Sequence, residues 1–250
     1  MVSLSVCVEM VYDDEPFEAR IGRAAEAGAD AVEFWDWREK DLEAIQKAAE
    51  EAGLPIVGCT AGGSLTDPDE ADEAVETIRE SIGTAEECGI PSLIVTTGQD
   101  QEGLDRETQH DTIMEVLSRV AGDAEEAGVT LVVEPLNTAV DHPGYFLVSS
   151  EEGFEIVEEV GSDAVKLLYD VYHQQVTEGN IIETITENAD SIGHVHVADV
   201  PGRHEPGTGE LNYANVFDAI DDAGYDGYVG CEFSPTGDPD EAMAGVLDLD

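Results

Sequence analysis

A segment rich in histidine and glycine lies in the last third of the chain, between Gly193 and Asn212. His194 and His196 alternate with valines, which is typical of a buried strand, and prolines and glycines interrupt the segment that follows. A lone histidine in such a strand would more simply be hydrogen-bonded in the core. Here Arg203 and Glu205 follow beside glycines, which let a backbone approach a ligand closely. The pattern therefore predicts an active-site loop after a strand.

The rest of the chain alternates short apolar segments with longer amphipathic ones. The strand patterns cover residues 4–9, 31–35, 55–60, 92–97, 130–136, 165–169, 192–198 and 228–233. The helix patterns, most of them ending at a glycine, cover residues 16–28, 41–53, 69–89, 107–128, 149–160, 180–189, 213–224 and a last short segment from 239. Eight such repeats, built on continuously apolar strands, predict one (β/α)8 TIM barrel over residues 1–250. A doubly wound open sheet is less favoured, since no Gly-x-Gly-x-x-Gly follows the first strand.

Acidic and imidazole side chains occupy the predicted ends of four successive strands. Glu134 follows the fifth strand's apolar run, Asp170 the sixth, His196 lies on the seventh and Glu232 on the eighth. In a TIM barrel these strand ends meet at the active-site rim. Three carboxylates crowded there would repel one another unless a positive charge lay between them. One imidazole with three carboxylates suits Mn²⁺, Mg²⁺ or Co²⁺ better than structural zinc, so we expect one divalent metal ion.

The charge of the chain is strongly negative. Ten Lys and Arg stand against 58 Asp and Glu, a formal net charge of −48, and the acidic residues are spread along the sequence. Such self-repulsion is tolerable in multimolar salt, where the Debye length is about 3 Å or less, so the composition predicts a halophilic protein. So few basic residues can hardly form phosphate-binding patches, and we expect no nucleic-acid partner.

The chain lacks the patterns of a membrane protein or a metal-thiolate protein. No apolar run approaches the roughly 20 residues of a membrane span, and no basic segment precedes an apolar block at the N-terminus. We therefore expect a soluble, cytoplasmic protein without a membrane partner. Four cysteines form no Cys-x-x-Cys pair and are expected to be small, buried and reduced. They are Cys7, Cys59, Cys88 and Cys231.

Five motifs resemble the xylose isomerase-like TIM barrels and, among them, the hydroxypyruvate isomerases. They are EPLN at 134–137, HPGY at 142–145, YDVYHQQVTEGN at 169–180, IGHVHVADVPGRHEPGTGELNY at 192–213 and YVGCEFSPTG at 228–237. The resemblance spans most of the chain and is firmest from the fifth strand onward. It implies an aldose–ketose isomerase of a small hydroxy-carbonyl or sugar-like compound, with hydroxypyruvate and tartronate semialdehyde as the first choice of pair. It also implies a homo-oligomer, a dimer or a tetramer.

The resemblance further implies a role for individual residues. The four strand-end residues would hold the metal, and Glu134 and Glu232 would also transfer the proton through an enediolate. His173 would hydrogen-bond a substrate oxygen, and Arg203 would bind a substrate carboxylate, for which a guanidinium fork is suited. The predicted substrate-binding residues are His173, Arg203, Asn137 and Glu205.

His196 departs from the pattern, and alternatives follow from it. Hydroxypyruvate isomerases often carry Gln at this position, whereas ketose 3-epimerases of the same superfamily carry His. A ketose 3-epimerase or another sugar isomerase with the same metal site therefore stays open, ahead of a dehydratase or a nuclease. A non-enzymatic binding protein would not need the four strand-end residues. Trp35, Trp37 and Tyr12 fit either a wall of the pocket or ordinary core and rim aromatics.

Overall fold

Eight parallel strands close into a barrel in sequence order, and β8 pairs with β1 to complete it. The computed structural model describes residues 2–249. The strands are β1 (Ser3–Cys7), β2 (Ala31–Asp36), β3 (Ile56–Thr60), β4 (Ser92–Thr96), β5 (Thr130–Glu134), β6 (Val165–Asp170), β7 (Ile192–Val197) and β8 (Tyr228–Cys231). The predicted TIM barrel is therefore confirmed, with each strand within a few residues of its expected position.

Helices follow the strands and cover the barrel. They are α1 (Val8–Val11), α2 (Phe17–Ala27), α3 (Leu42–Ala52), α4 (Ala71–Cys88), α5 (Arg106–Ala127), α6 (Ser150–Val160), α7 (Val171–Thr177), α8 (Ile181–Asn188), α9 (Tyr213–Asp222) and α10 (Pro239–Leu247), with a 3-10 turn at Ala189–Ser191. The eight predicted helices are all present. Their predicted glycine stops are also present, as at Gly53 and Gly128, whose φ angles of 73° and 68° are in the left-handed region.

Two short helices, α1 and α7, were not predicted. The strand expected at residues 4–9 ends at Cys7, and Val8 and Val11 turn inward with helical spacing instead. A short apolar run does not distinguish a strand from a buried helical turn, which explains the error. Helix α7 starts because the Asp170 side chain accepts hydrogen bonds from two backbone N–H groups of its first turn.

The strands are buried on both faces, as their apolar runs predicted. Outside the barrel they pack on the helices in one large apolar core. On the inside, Ile94, Val132 and Leu168 of β4, β5 and β6 form a small separate cluster. Ser5 of β1 and Glu33 of β2 are buried polar residues; the Ser5 hydroxyl donates to Glu33, and Glu33 contacts His194 of β7. The inside of the barrel is thus apolar on one side and polar on the other.

Within residues 2–249, no helix combines the length and the apolar character that crossing a bilayer requires. The cysteines are free thiols, and three of them are buried as expected, whereas Cys88 is partly exposed.

Candidate active site

The four strand-end residues converge at one point of the barrel mouth. Glu134, Asp170, His196 and Glu232 are all buried, and each offers a ligand atom within 4.8 Å of those of the others. Nδ1 of His196 lies 3.6 Å from Oε1 of Glu134 and 3.4 Å from Oε2 of Glu232. The fold brings them together because consecutive parallel strands end at the same rim. The structure thus brings together the four residues that were predicted to hold a metal.

The two carboxylate oxygens of Asp170 have different partners: one caps a helix, and the other faces the site. Oδ1 accepts hydrogen bonds from the backbone N–H groups of Tyr172 and His173, at 2.7 and 3.1 Å, and so caps helix α7. Oδ2 remains directed to the site, 3.7 Å from Nε2 of His173 and 3.8 Å from Nη2 of Arg203. The unpredicted helix therefore fixes the orientation of this carboxylate.

His173 is held as a neutral donor by Asn137. Nδ1 of His173 lies 2.6 Å from Nδ2 of Asn137 and 3.3 Å from its backbone nitrogen, both of which are donors. Two backbone N–H groups, those of Val140 and Asp141, donate to Oδ1 of Asn137 and fix its amide orientation. Nδ1 must therefore accept, and the ring proton lies on Nε2, which has no hydrogen-bond partner among the described residues. Burial, the largest influence, lowers the pKa of His173 and favours this neutral form.

Arg203 enters the site from the loop after β7. Its Nη2 donates a hydrogen bond to Oε2 of Glu232, and its guanidinium lies over the ring of Tyr172, 5.5 Å from the centroid. Its backbone is in the left-handed region, with φ of 57°, which is uncommon outside glycine and is found at functional sites. Nε of Arg203 is buried and has no hydrogen-bond partner among residues 2–249.

The two glutamates of the predicted proton-transfer pair have opposite electrostatic environments. Burial, partly offset by His196, raises the pKa of Glu134 to about 7. Burial would also raise the pKa of Glu232, but His196 and Arg203 outweigh it and hold that pKa well below its ordinary value. Trp35 adds to this by donating from Nε1 to Oε1 of Glu232 at 2.8 Å. Two acids whose pKa values are driven apart are the usual sign of an acid and base pair.

The donor set fits a divalent cation. Three carboxylates and one imidazole are ligands that Mg²⁺, Mn²⁺ and Co²⁺ accept, and no thiolate approaches among the ligand groups of the described residues. Neither ring nitrogen of His196 has an aligned hydrogen-bond partner there, although the ring is buried. Such a nitrogen is unusual in a folded core and is expected of a metal ligand. Burial would lower the pKa of His196, but Glu232 and Glu33 raise it well above its ordinary value.

A cleft of about 300 Å³ opens above this cluster. Its walls combine the catalytic candidates with small polar and apolar side chains, namely Trp35, Thr60, Ile94, Thr96, Glu134, Leu136, His142, His173, Arg203 and Glu232. Trp35 is thus a pocket wall. By contrast, Trp37 donates to Ser81 away from the cleft, and Tyr12 is buried beside Arg23.

Glu205 is not brought to this cleft. Its carboxylate accepts hydrogen bonds from the backbone and hydroxyl of Thr236 and lines a separate surface groove. Two residues beyond Arg203, the loop has already turned outward. Asn137 also lies outside the cleft wall, because it is fully buried behind His173 and acts on the site through that ring.

Sequence reasoning missed two polar residues, His142 and Glu33. The ring of His142 lines the cleft and lies 5.2 Å from that of His173. Glu33 lies in the barrel, where His194 and His196 outweigh the effect of burial and hold its pKa well below the ordinary value. Both residues had a signal in the sequence. His142 follows the EPLN motif closely, and Glu33 is a charged residue inside an apolar strand.

Comparisons with known proteins agree with this fold and site. The family model described as "Xylose isomerase-like TIM barrel" matches residues 21–248, and the chain belongs to this family. A hydroxypyruvate isomerase of Escherichia coli (strain K12) is 32% identical over 94% of both chains. A 2-oxo-tetronate isomerase of Cupriavidus necator is 34% identical over 91% of both. These relatives identify the chain as an isomerase.

Solved structures show the same architecture. A Brucella melitensis protein described as an AP endonuclease of family 2 superposes with a TM-score of 0.94 at 30% identity, over 99% of each chain. A D-psicose 3-epimerase of Clostridium cellulolyticum H10 superposes with a TM-score of 0.85 over 100% of this chain and 98% of its own, at 19% identity. The second likeness shows the fold alone.

Proposed function

We propose that this chain is a metal-dependent isomerase that interconverts hydroxypyruvate and 2-hydroxy-3-oxopropanoate, also called tartronate semialdehyde. The observation that carries the proposal is the pair of buried glutamates, Glu134 and Glu232, which meet at one imidazole with oppositely shifted pKa values. The names of the relatives support the choice of substrate class. We propose that the substrate is a small molecule and that nucleic acid is not a partner, because the net charge is −48.

The reaction requires two proton movements and no external oxidant. A proton leaves C3 of hydroxypyruvate, and an enediolate forms across C2 and C3. A proton then reaches C2, while the O3 hydroxyl proton passes to O2, so the ketone becomes a hydroxyl and C3 becomes an aldehyde. A divalent ion held by Glu134, Asp170, His196 and Glu232 supplies Lewis-acid stabilisation of the negative charge when bound.

The protein's own groups divide the proton transfers between them. One of the two glutamates, Glu134 and Glu232, removes the proton from C3, and the other delivers a proton to C2; both carboxylates lie against the same imidazole of His196. The Nε2–H of His173 donates to the oxygen on which charge develops. Arg203, which lines the cleft, anchors the substrate carboxylate through its guanidinium. In the reverse direction the two glutamates exchange roles.

The test is the incorporation of deuterium from D₂O into hydroxypyruvate, which NMR of the substrate detects. The exchange is measured with protein loaded with Mn²⁺ and again after the ion has been removed. We expect exchange to fall by about 10² to 10⁴ in Glu134→Gln and Glu232→Gln, which is the usual contribution of a positioned acid or base. Glu205→Gln is the matched control, because its carboxylate lies outside the cleft, and it should exchange like the parent. Folded glutamine variants that exchange as fast as the parent would overturn the proposal.

A substrate one carbon longer is the second candidate. The Cupriavidus necator relative is named 2-oxo-tetronate isomerase, and the cleft of about 300 Å³ leaves space beyond a three-carbon acid. The same proton transfer between neighbouring carbons would serve both compounds. Comparing kcat/KM for hydroxypyruvate, 2-oxo-tetronate and a ketohexose distinguishes these acids from the substrate of a ketose 3-epimerase.

A further inference from the structure

Glu33 is a buried carboxylate that the proposed reaction does not use. It lies on β2, is only 2% exposed, and is separated by 161 residues from its partner His194 on β7. A charged side chain in a barrel interior costs folding free energy unless it is paired and hydrogen-bonded. Its partners therefore indicate what it does.

Both carboxylate oxygens of Glu33 are directed to histidines. Oε2 lies 2.8 Å from Nε2 of His194 and also accepts a hydrogen bond from the Ser5 hydroxyl at 3.0 Å. Oε1 lies 2.9 Å from Nε2 of His196. Neither Oε1 nor this Nε2 has an aligned hydrogen-bond partner among residues 2–249. The contact between the two atoms is thus close, but it is not an aligned hydrogen bond.

The two nitrogens of the His196 ring consequently face different groups. Nε2 faces Glu33, and Nδ1 faces Glu134 and Glu232 at 3.6 and 3.4 Å. An ionised carboxylate can only accept a hydrogen bond, so it holds the ring proton on Nε2. Nδ1 is then the nitrogen that loses its proton and offers a lone pair to the ion when an ion binds at the strand-end ligands. Carboxylates placed behind a ligating histidine in this way fix its tautomer and raise its basicity.

The barrel leaves space for this contact at Gly230 of β8. A Cβ atom there would lie 2.5 Å from Oε1 of Glu33 and 2.7 Å from Cδ2 of His196. Any larger residue would push the two side chains apart. At Gly58 of β3, by contrast, a Cβ atom would lie 3.8 Å from Cβ of Glu33 and 3.5 Å from the Ser92 hydroxyl, which are ordinary contacts.

We infer that Glu33 is a positioning residue, which holds His196 by its Nε2 so that Nδ1 can ligate the divalent ion. The inference rests on the metal site of the proposed function and extends it to a residue outside the ligand set. Glu33, His194 and His196 are also close enough to be ligands themselves. The direct contacts of Glu33 with both rings and with Ser5 favour the positioning role, and the number of bound ions separates the two roles.

The test is calorimetric titration of the full-length protein with Mn²⁺ in high salt. We expect one ion per chain in the parent and a Kd that is about 10- to 100-fold weaker in Glu33→Gln, as for other residues behind metal ligands. Circular dichroism and thermal unfolding establish that the variant is folded. A second readout is the ¹⁵N NMR signature of His196 in Mg²⁺-loaded protein. We expect Nε2–H alone in the parent and a mixture of tautomers in Glu33→Gln.

Gly230→Ala and Gly58→Ala form a matched pair that keeps every charge. If Glu33→Gln does not fold, the weaker binding is expected in Gly230→Ala, and the Kd of the parent in Gly58→Ala. A parental Kd and an unchanged His196 tautomer in folded Glu33→Gln would overturn the inference. Two ions in the parent, one of them lost in Glu33→Gln, would overturn it too, since Glu33 would then be a ligand.

The outcomes also separate this inference from the proposed function. If Mn²⁺ binds with an affinity that depends on Glu33 but hydroxypyruvate is not turned over, only the proposed reaction fails. If turnover requires the ion and Glu33→Gln binds it like the parent, only the positioning role fails. If the folded parent binds no divalent ion, both are refuted.

Discussion

Asp199 organises the loop that carries Arg203, and its replacement by asparagine should loosen that loop. The carboxylate is fully buried two residues beyond β7 and accepts four backbone hydrogen bonds. Oδ1 accepts from Val200 and Leu211 at 2.9 and 3.1 Å, and Oδ2 accepts from Gly207 and Gly209 at 2.9 and 2.8 Å. An asparagine amide keeps one acceptor oxygen and places a donor where the other pair of N–H groups needs an acceptor.

The size of the effect follows from the two lost bonds. A hydrogen bond to a charged group contributes about 1.5–3 kcal/mol, and the lower value applies because the loop is partly exposed and water can replace the partner. Two such bonds give about 3 kcal/mol, which is a factor of about 10² in a local opening equilibrium. Hydrogen exchange of the amides between residues 200 and 211 should therefore accelerate about 100-fold in Asp199→Asn.

The chemical consequence should be confined to Arg203, whose N–H donates to the Asp199 carbonyl at 3.1 Å. We expect kcat/KM for hydroxypyruvate to fall while the Kd for Mn²⁺ stays that of the parent, because Asp199 contacts none of the four ligands. Asp163→Asn, at an exposed site, is the control for the substitution. Unchanged exchange in the loop, or a loss of metal affinity equal to the loss of activity, would refute this reasoning.

Two further predictions concern the metal and pH. Mn²⁺ at a hundred times its Kd should raise the free energy of unfolding by about 2.7 kcal/mol, and a chelator should reverse this; an unchanged denaturant midpoint would contradict a site for the ion. In chelator-treated protein, the pKa of Glu134 is raised from 4.5 to about 7, so the folded state binds the proton of this carboxyl more tightly than the unfolded state does. The protonated carboxyl therefore contributes fully to the free energy of unfolding below about pH 4.5, and this contribution is lost as the pH rises through about 7. Unfolding from pH 4 to 8 should show this loss in the parent and a shallower slope in Glu134→Gln; equal slopes would contradict it.

The part of the site that could be predicted from the sequence is the set of strand ends, which the fold repeats around the barrel. Each strand of a TIM barrel ends at the same rim, so Glu134, Asp170 and Glu232 could be grouped without knowing any distance. The burial of the strands on both faces was likewise present in their apolar runs. The repeat of apolar strands and amphipathic helices was sufficient to predict the barrel, and the polar residues at the strand ends were sufficient to predict the cluster.

The part of the site that was not predicted depends on the directions of side chains, which the sequence does not specify. Glu33 contacts His194 across 161 residues, and this requires both side chains to point into the barrel at the same level, which depends on the stagger of the strands. In the loop, the left-handed backbone of Arg203 turns its guanidinium inward and leaves Glu205 with Thr236 outside. A motif match places both residues in one loop, but only the backbone decides which of them reaches the cleft.

The charges of the site lead to a final prediction about proton release. Glu33, Glu134, Asp170 and Glu232 bring four carboxylates to the site, whereas Arg203 and protonated His196 supply two positive charges, so the carboxylates are in excess. The raised pKa of Glu134 reduces this excess of negative charge, because Glu134 retains a proton. A divalent ion needs the lone pair of His196 and an ionised Glu134, so its binding must expel both protons.

Titration with Mn²⁺ at pH 6 should therefore release about two protons per ion, and at pH 8 about one, because Glu134 is then already ionised. Calorimetry in two buffers of different ionisation enthalpy measures this number directly. Glu134→Gln should release about one proton at both pH values, since only His196 then exchanges a proton for the ion. Binding without proton release at either pH would mean that the imidazole does not ligate the ion. The charge balance proposed for the site would then be wrong.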